Sequence, residues 1–465
     1  MKLPFDFISR TQAILGDRFA SLEAALLDTP PVSIRINHKK WHHPISFEPI
    51  PWCQRGYYLP QRLAFTFDPL FHAGAYYVQE ASSMFLEQAV TQYIDHPVVC
   101  LDLCAAPGGK STHLSQLLPE GSLLVSNEVI RSRSHILAEN ITKWGNPSSI
   151  VTNNDPADFA RLPHLFDLLL ADVPCSGEGM FRKDPESIGE WSSANVELCA
   201  ARQRRILQDC WETLKPGGLL IYSTCTYNRE ENEENLHYLV ETFGAEPLPV
   251  AVDPTWQVTE SQQSPYPAYR FFPHKTKGEG FFLALLRKPD DNGGSYSSKK
   301  RRNDKGKREL PIPEEAKRYI LQPERFHFFR RASQITAFPT DLMPLYQQLQ
   351  EKLRIVAAGI EIAEEKGKAL LPAHGLAMSL SLNRDAFDSL ELSWEDAIRF
   401  LRKEALTLPE DVAKGFVLLC YHGHPLGFAK QIGNRANNLY PSEWRIRSQQ
   451  MPTEFIGLEE LGRRG

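Results

Sequence analysis

From Pro97 onward, apolar and polar positions fall into a repeating order. Apolar runs at Val98–Leu103, Leu123–Asn127, Ser149–Thr152, Phe166–Ala171 and Leu219–Thr224 alternate with segments of helical period at about 110–117, 132–143, 194–214 and 230–243. Unbroken apolar runs suit strands buried on both faces, and strands separated by helices suit a parallel sheet covered on both sides. Two later runs, Tyr269–Phe272 and Gly280–Leu286, have no helix between them and read as an antiparallel finish to that sheet. Residues 1–96 mix short helical patterns with strand patterns, including the alternating Val32–Asn37, and read as an α+β domain.

The pattern lapses at 289–310, where glycine, serine and charge replace large apolar residues almost completely. This divides the chain into an N-terminal accessory domain at 1–96, an α/β domain at 97–288, a basic flexible linker at 289–312 and a C-terminal region at 313–465. A cut after Lys307 is therefore expected to leave a folded core. The run Lys299–Arg302, with Lys305, Lys307 and Arg308, reads either as a phosphate contact or as a solvated tether. Farther on, Gly423–Lys430 reads as a hairpin, followed by Asn434, Arg435, Asn437 and Asn438. Phe428, Tyr440 and Trp444 nearby offer either stacking surfaces for RNA bases or the core of a small β-domain.

A chain of 465 residues exceeds one ordinary domain, and its 42% hydrophobic and 23% charged residues are those of a soluble globular protein. The amino terminus, MKLPFDFISRTQAILGD, lacks a signal-peptide core, and no apolar stretch approaches the roughly 18 residues of a membrane helix. A cytoplasmic protein without membrane partners is expected. The net charge of −5 excludes a uniformly basic surface, although nucleic-acid binding needs only a local basic face. Eight cysteines stand at 53, 100, 104, 175, 199, 210, 225 and 420, with no CxxC pair. That scatter predicts neither a disulfide framework nor a zinc site, and no metal is expected.

Candidate chemistry collects at the strand ends. Cys104-Ala105-Ala106-Pro107-Gly108-Gly109-Lys110 lies between the first strand and its helix, where small residues let a ligand approach backbone N–H groups. A Walker A loop would need glycine where Cys104 stands, which removes a P-loop ATPase, and the dinucleotide pattern GxGxxG is absent. A methyltransferase loop remains. Glu128 ends the second strand, where a carboxylate can accept from both ribose hydroxyls. Asp155 follows the third strand, within reach of an adenine amino group, and Asp172 ends the fourth.

Cys175 follows the fourth strand and Cys225 closes the fifth, so both thiols should face one pocket at the carboxyl edge of the sheet. Carbon 5 of cytosine is a poor nucleophile until a thiolate adds to C6, and covalent catalysis by cysteine meets that need. An amino-methylating enzyme usually carries an aromatic residue where Cys175 stands. The residues alone leave open which cysteine attacks.

CAAPGGK at 104–110, DVPCSGEG at 172–179 and STCTY at 223–227 together resemble the Sun/Fmu family of RNA 5-methylcytosine methyltransferases. The resemblance runs from about Pro31 to Leu286 and includes Tyr77–Ser83 and Pro273–Phe282. From about residue 400 the chain resembles the PUA-like tail of the bacterial small-subunit ribosomal RNA methyltransferase F group. It departs from the commoner Asp-Ala-Pro-Cys only in carrying Val173. The resemblance implies a Rossmann-like class I methyltransferase sheet that uses S-adenosyl-L-methionine. It implies Cys225 as the nucleophile, Cys175 as an aid to product release, and Asp172 and Lys110 at the edge of the cytosine ring. Residues 104–110, Glu128, Asp155 and Asp172 would hold the cofactor. The implied substrate is a cytosine in the decoding region of small-subunit ribosomal RNA, with transfer RNA as the alternative and a monomer as the expected state. A ribosome-assembly factor that binds RNA without turnover is the reading from another class.

Overall fold

The computed structural model describes residues 2–290 and 311–461, apart from positions 262, 368, 434, 449, 451, 453, 454 and 459. The basic run beginning at Lys299 and the side chain of Asn434 lie outside the described residues.

The periodicity after Pro97 becomes one mixed sheet. Its five parallel strands are Val99–Asp102, Leu123–Asn127, Ser149–Thr152, Phe166–Asp172 and Leu214–Thr224. In space the fifth lies beside the fourth, the fourth beside the first, and the second and third follow. The order reverses between the first and fourth strands, which opens a crevice at their carboxyl ends. Residues such as Leu101, Leu168, Leu169, Leu170 and Ile221 are wholly buried, as continuous apolar strands between two helical layers require. Phe281–Arg287 pairs antiparallel with the fifth strand and Tyr269–Phe271 pairs with it in turn, giving the antiparallel finish. The fifth strand begins at Leu214 rather than Leu219, because Lys215–Gly218 continues as strand beside Phe166 instead of breaking into a separate turn.

The N-terminal part has helices Phe5–Leu15 and Phe19–Leu26. Its four-stranded antiparallel sheet runs in the order Glu48–Pro49, Gly56–Leu59, Val32–Ile36 and Tyr76–Val78. Two further four-stranded sheets follow residue 310. In the second of these, the predicted hairpin is displaced: His424–Gln431 is one strand, paired with Gly415–Tyr421 across a turn at His422–Gly423. Phe428 and Tyr440 are core residues rather than stacking surfaces, since both side chains are buried. Trp444 packs edge-on against His374, with the Lys143 ammonium 5.5 Å from its ring centre. Among the described residues, no helix is long and apolar enough to cross a membrane.

One contact overturns the expectation of a separable core. Ile355–Ala358, from beyond the linker, joins the central sheet antiparallel to Ser149–Thr152. Phe338, Leu342, Tyr346, Leu349 and Leu353 then pack into the same apolar core as Leu123, Val125, Ile150 and Phe159. Likewise Ile34, Trp41 and Tyr76 share a core with Leu392, Phe400 and Tyr440. Periodicity could not reveal this, because it reports which face of an element is apolar and not what covers it. Truncation after Lys307 is accordingly expected to expose these faces and destabilise the remainder. Each large side chain uncovered costs roughly 1.5–3 kcal/mol. Thermal melts of the 1–307 fragment should show a lowered or uncooperative transition; a melt matching the full chain would refute the shared core.

Candidate active site

The loop after the first strand is pinned at both ends. Ala105 N–H donates to Asn127 O at 2.8 Å, and the Asn127 amide donates to Leu103 O at 3.1 Å. Arg133 and Asn140, on helix Arg131–Trp144, donate to the carbonyls of Ala106 and Pro107 at 2.9 and 2.8 Å. Gly108 has φ +119°, a conformation that places helix Gly109–Leu117 immediately after the turn. Asp102 lies wholly buried at the end of the first strand. Ser111 Oγ donates to its Oδ2 at 2.6 Å, while Oδ1 is buried without a partner. Burial pushes the Asp102 carboxyl up to about 7, with Ser111 opposing and Asp172 reinforcing the rise.

Glu128 is buried beside this loop. Its Oε1 accepts from Ile130 N–H at 2.9 Å, and its Oε2 lies 3.6 Å from Arg133. Asp102, Asp172 and Glu128 are thus three carboxyl groups around one small region, only partly offset by Lys110 and Arg133. A cationic ligand suits that excess of acid, and S-adenosylmethionine carries both a sulfonium and an ammonium. The unpartnered Oδ1 of Asp102 and the open helix start fit the same group. Asp155 stands apart: it is exposed, and its Oδ1 caps the turn Pro156–Arg161 through Ala157 N–H at 3.0 Å.

Lys110 reaches across the crevice to Asp172, Nζ to Oδ2 2.7 Å, and Ser223 Oγ donates to the other oxygen at 2.8 Å. Burial, the largest single effect, opposes the charge on Lys110, but Asp172, Cys225 and Asp102 together outweigh it. The net shift is upward, so Lys110 is a fixed cation beside Cys225.

The two thiols meet, with Cys175 Sγ 3.2 Å from Cys225 Sγ. The hydrogen bond to Cys225 and then burial raise Cys175 well above the usual thiol range. Their loops are tied by two carboxylates that the sequence reading did not single out. Glu178 Oε2 accepts from Thr226 Oγ1 and from the N–H groups of Tyr227 and Asn228 at 2.6–2.9 Å. Its Oε1 accepts from Trp191 Nε1 and the Asn228 amide. Glu231 Oε2 accepts from Ser176 N–H at 3.0 Å and Gln203 Nε2 at 2.7 Å. Gly179 lies so close to the carbonyls of Gly280 and Cys225 that a Cβ would sit 2.6 and 2.8 Å from them. Both glutamates are buried; the glycines at 177 and 179 hint at a close approach around Glu178, and nothing comparable flanks Glu231.

Lys110, Asp172, Cys175 and Cys225 therefore share one crevice, with the 104–110 loop forming its side. Comparison with known proteins matches three segments to family descriptions. They are 16S rRNA methyltransferase RsmB/F at 92–287, the N-terminal domain of 16S rRNA methyltransferase RsmF at 3–81, and the methyltransferase RsmF PUA domain at 387–446. Ribosomal RNA small subunit methyltransferase F of Salmonella agona (strain SL483) is 33% identical over 416 residues, covering 86% of this chain and 85% of that protein. The chain belongs to this family. The F-type protein of Salmonella heidelberg (strain SL476) matches over the same extent with the same identity. A methyltransferase homolog from Pyrococcus horikoshii is 28% identical, with TM-score 0.53 over 61% of this chain and 94% of its own. NSun6 from the same organism, solved with SFG, shares the fold at TM-score 0.54 and 20% identity, over 62% of this chain and 99% of its own. As an F-type enzyme, the chain is an S-adenosylmethionine-dependent RNA methyltransferase with a PUA domain.

Proposed function

We propose that the enzyme methylates C5 of a cytosine in small-subunit (16S) ribosomal RNA through a covalent bond between Cys225 and C6. The observation that carries this reading is the pair of thiols 3.2 Å apart beside the Lys110–Asp172 ion pair. The family resemblance assigns the attack to Cys225, and the Cys175 thiol, raised by its hydrogen bond to Cys225 and by burial, suits the supporting role. Cys225 Sγ adds to C6, and the electron pair of the C5–C6 double bond becomes available at C5. Lys110 and Asp172 face the edge of the ring and hold it. Bound S-adenosylmethionine supplies the methyl group that C5 takes. A base then removes the C5 proton, the double bond reforms, and the Cys225 sulfur departs from C6.

Residues 104–110, Glu128 and Asp172 hold the cofactor on this reading, with Asp102 added at the base of the loop. Asp155 keeps its place as a candidate for the adenine amino group, using the side not spent on capping. Residues 97–288 are the catalytic unit, flanked by RNA-contacting parts at 1–96 and 313–465, and the protein acts as a cytoplasmic monomer. Bisulfite sequencing of RNA from a deletion strain tests the reading: one small-subunit cytosine should lose protection, and the purified enzyme should restore it. Loss only in transfer RNA would move the substrate, and no loss anywhere would leave the assembly-factor reading.

Glu128→Ala is expected to weaken S-adenosylmethionine binding by roughly 1–3 kcal/mol, the range for hydrogen bonds to a charged group. Calorimetry with unchanged affinity would remove Glu128 from the ribose site.

A further inference from the structure

The N-terminal sheet reaches into the cofactor loop through a single buried cation. Arg35, on strand Val32–Ile36, is wholly buried. Its Nε donates to Gln79 Oε1 at 2.9 Å and its Nη1 to Gln116 Oε1 at 2.7 Å. Its Nη2 donates to Thr112 Oγ1 at 2.6 Å and to Gly109 O at 3.3 Å. The guanidinium carbon lies 4.5 Å from the ring centre of Trp144. All four acceptors are neutral, and three of them belong to helix Gly109–Leu117.

Gly109, Thr112, His113 and Gln116 have the spacing of one helical stripe, and every one of them faces the N-terminal part. His113 Nε2 lies 3.0 Å from Glu87 Oε2, which also accepts the Cys53 thiol at 3.1 Å. These three donor atoms lie close enough to suggest a metal, but the chemistry argues for a hydrogen-bonded clamp. The Nδ1 of His113 has no partner, and a ligating histidine normally donates from that second nitrogen. At Gly109 a Cβ would lie 3.3 Å from the Tyr77 ring, so the sheet and the helix start are packed without slack. Lys110 and Ser111, on the other side of the helix, reach Asp172 and Asp102.

We propose that Arg35 is a positioning residue for the methyl-donor site. It fixes the helix start that presents Lys110 and the free N–H groups, and so makes the N-terminal part a wall of the cofactor site. The inference rests on the reading of residues 104–110 as the cofactor loop. Burial lowers the Arg35 guanidinium to about 10, so it remains a cation at neutral pH. A buried cation among neutral acceptors is costly unless its donors are satisfied, and this one makes four hydrogen bonds through all three guanidinium nitrogens. A lysine has one charged centre and cannot span four acceptors on two elements.

The test uses the full chain carrying Arg35→Lys, Arg35→Met or Thr112→Val, with affinity for S-adenosylmethionine, KM for each substrate, and melting temperature as readouts. Thr112→Val is the mild variant, nearly isosteric; it removes the hydroxyl that accepts from Arg35 and donates to the Gly108 carbonyl, and Arg35→Lys, which spares the Gly108 bond, tells the two losses apart if Arg35→Met does not fold. Thr112→Val and Arg35→Lys should each raise Kd and KM for S-adenosylmethionine on the order of tenfold, with KM for RNA unchanged. Wild-type cofactor affinity in both, whatever happens to the melting temperature, would reduce Arg35 to a structural role. Glu128→Ala in the same assay separates the two readings. If Glu128→Ala weakens the cofactor and Thr112→Val does not, only the Arg35 proposal fails; if neither does, the cofactor-loop reading fails first.

Discussion

Replacing Cys225 with serine is expected to lower methyl transfer by about three orders of magnitude or more while leaving S-adenosylmethionine affinity within about twofold. A hydroxyl cannot ionise usefully near neutral pH, whereas a thiol can, and addition to C6 requires the anion. The change is small in volume, and the loop that carries Cys225 is fixed by groups other than its sulfur: its carbonyl accepts Gly179 N–H, and Thr226 and Tyr227 are bound by Glu178. The cofactor loop lies on the first strand and its helix, and Lys110 is the group there that feels the charge of Cys225. Single-turnover transfer from labelled S-adenosylmethionine, beside calorimetry of the same preparation, checks both halves. Substantial turnover by Cys225→Ser would show that the residue or the mechanism is wrong.

The strand-end acids and thiols were legible because an α/β sheet delivers the carboxyl ends of its strands to one edge, so order along the chain becomes proximity in space. Asp172, Cys175 and Cys225 needed only that rule to be placed together; Lys110 at the ring edge and Cys225 as the nucleophile came from the resemblance. Asp102 was passed over although it ends the first strand, because an acid before a glycine loop reads as part of the loop; its buried, unpartnered oxygen appears only in three dimensions. Glu178 and Glu231 were invisible for a different reason. A glutamate in a polar loop looks solvated, and only the folded chain shows Glu178, beside Cys175, accepting from Thr226 and Tyr227, and Glu231, beyond Cys225, accepting from Ser176. Arg35 sat in an alternating strand where a polar position should face water. Here that face meets the cofactor helix, so alternation gave the right element and the wrong environment. Phe428 and Tyr440 were open between stacking surface and β-domain core; both fill a core, which only packing could decide, because local pattern does not say what covers a side chain. The strand Ile355–Ala358 belongs to the same class of failure, since no local pattern names the partner across a linker.

Cys175→Ala should separate attack from release. The variant is expected to bond to RNA and transfer the methyl group, then stall, accumulating a protein–RNA adduct that survives denaturing electrophoresis. The geometry supplies the reason. Cys175 lies 3.2 Å from the Cys225 sulfur and accepts the Cys225 N–H at 3.4 Å, while the hydrogen bond and burial keep its own proton in place. A protonated thiol there cannot open the reaction, but it can hydrogen-bond to the Cys225 sulfur as that sulfur leaves C6 with its electron pair. Alanine removes the donor and the long contact from the Cys225 N–H, but Glu178 and Glu231 still tie the two loops, and Lys110 still pairs with Asp172. Attack and methylation therefore survive, elimination slows, and the covalent intermediate builds up. Cys225→Ala should trap nothing. If instead Cys175→Ala is inactive without an adduct and Cys225→Ala traps RNA, the roles are reversed, and Cys175 is the nucleophile despite the proton that its surroundings hold on it.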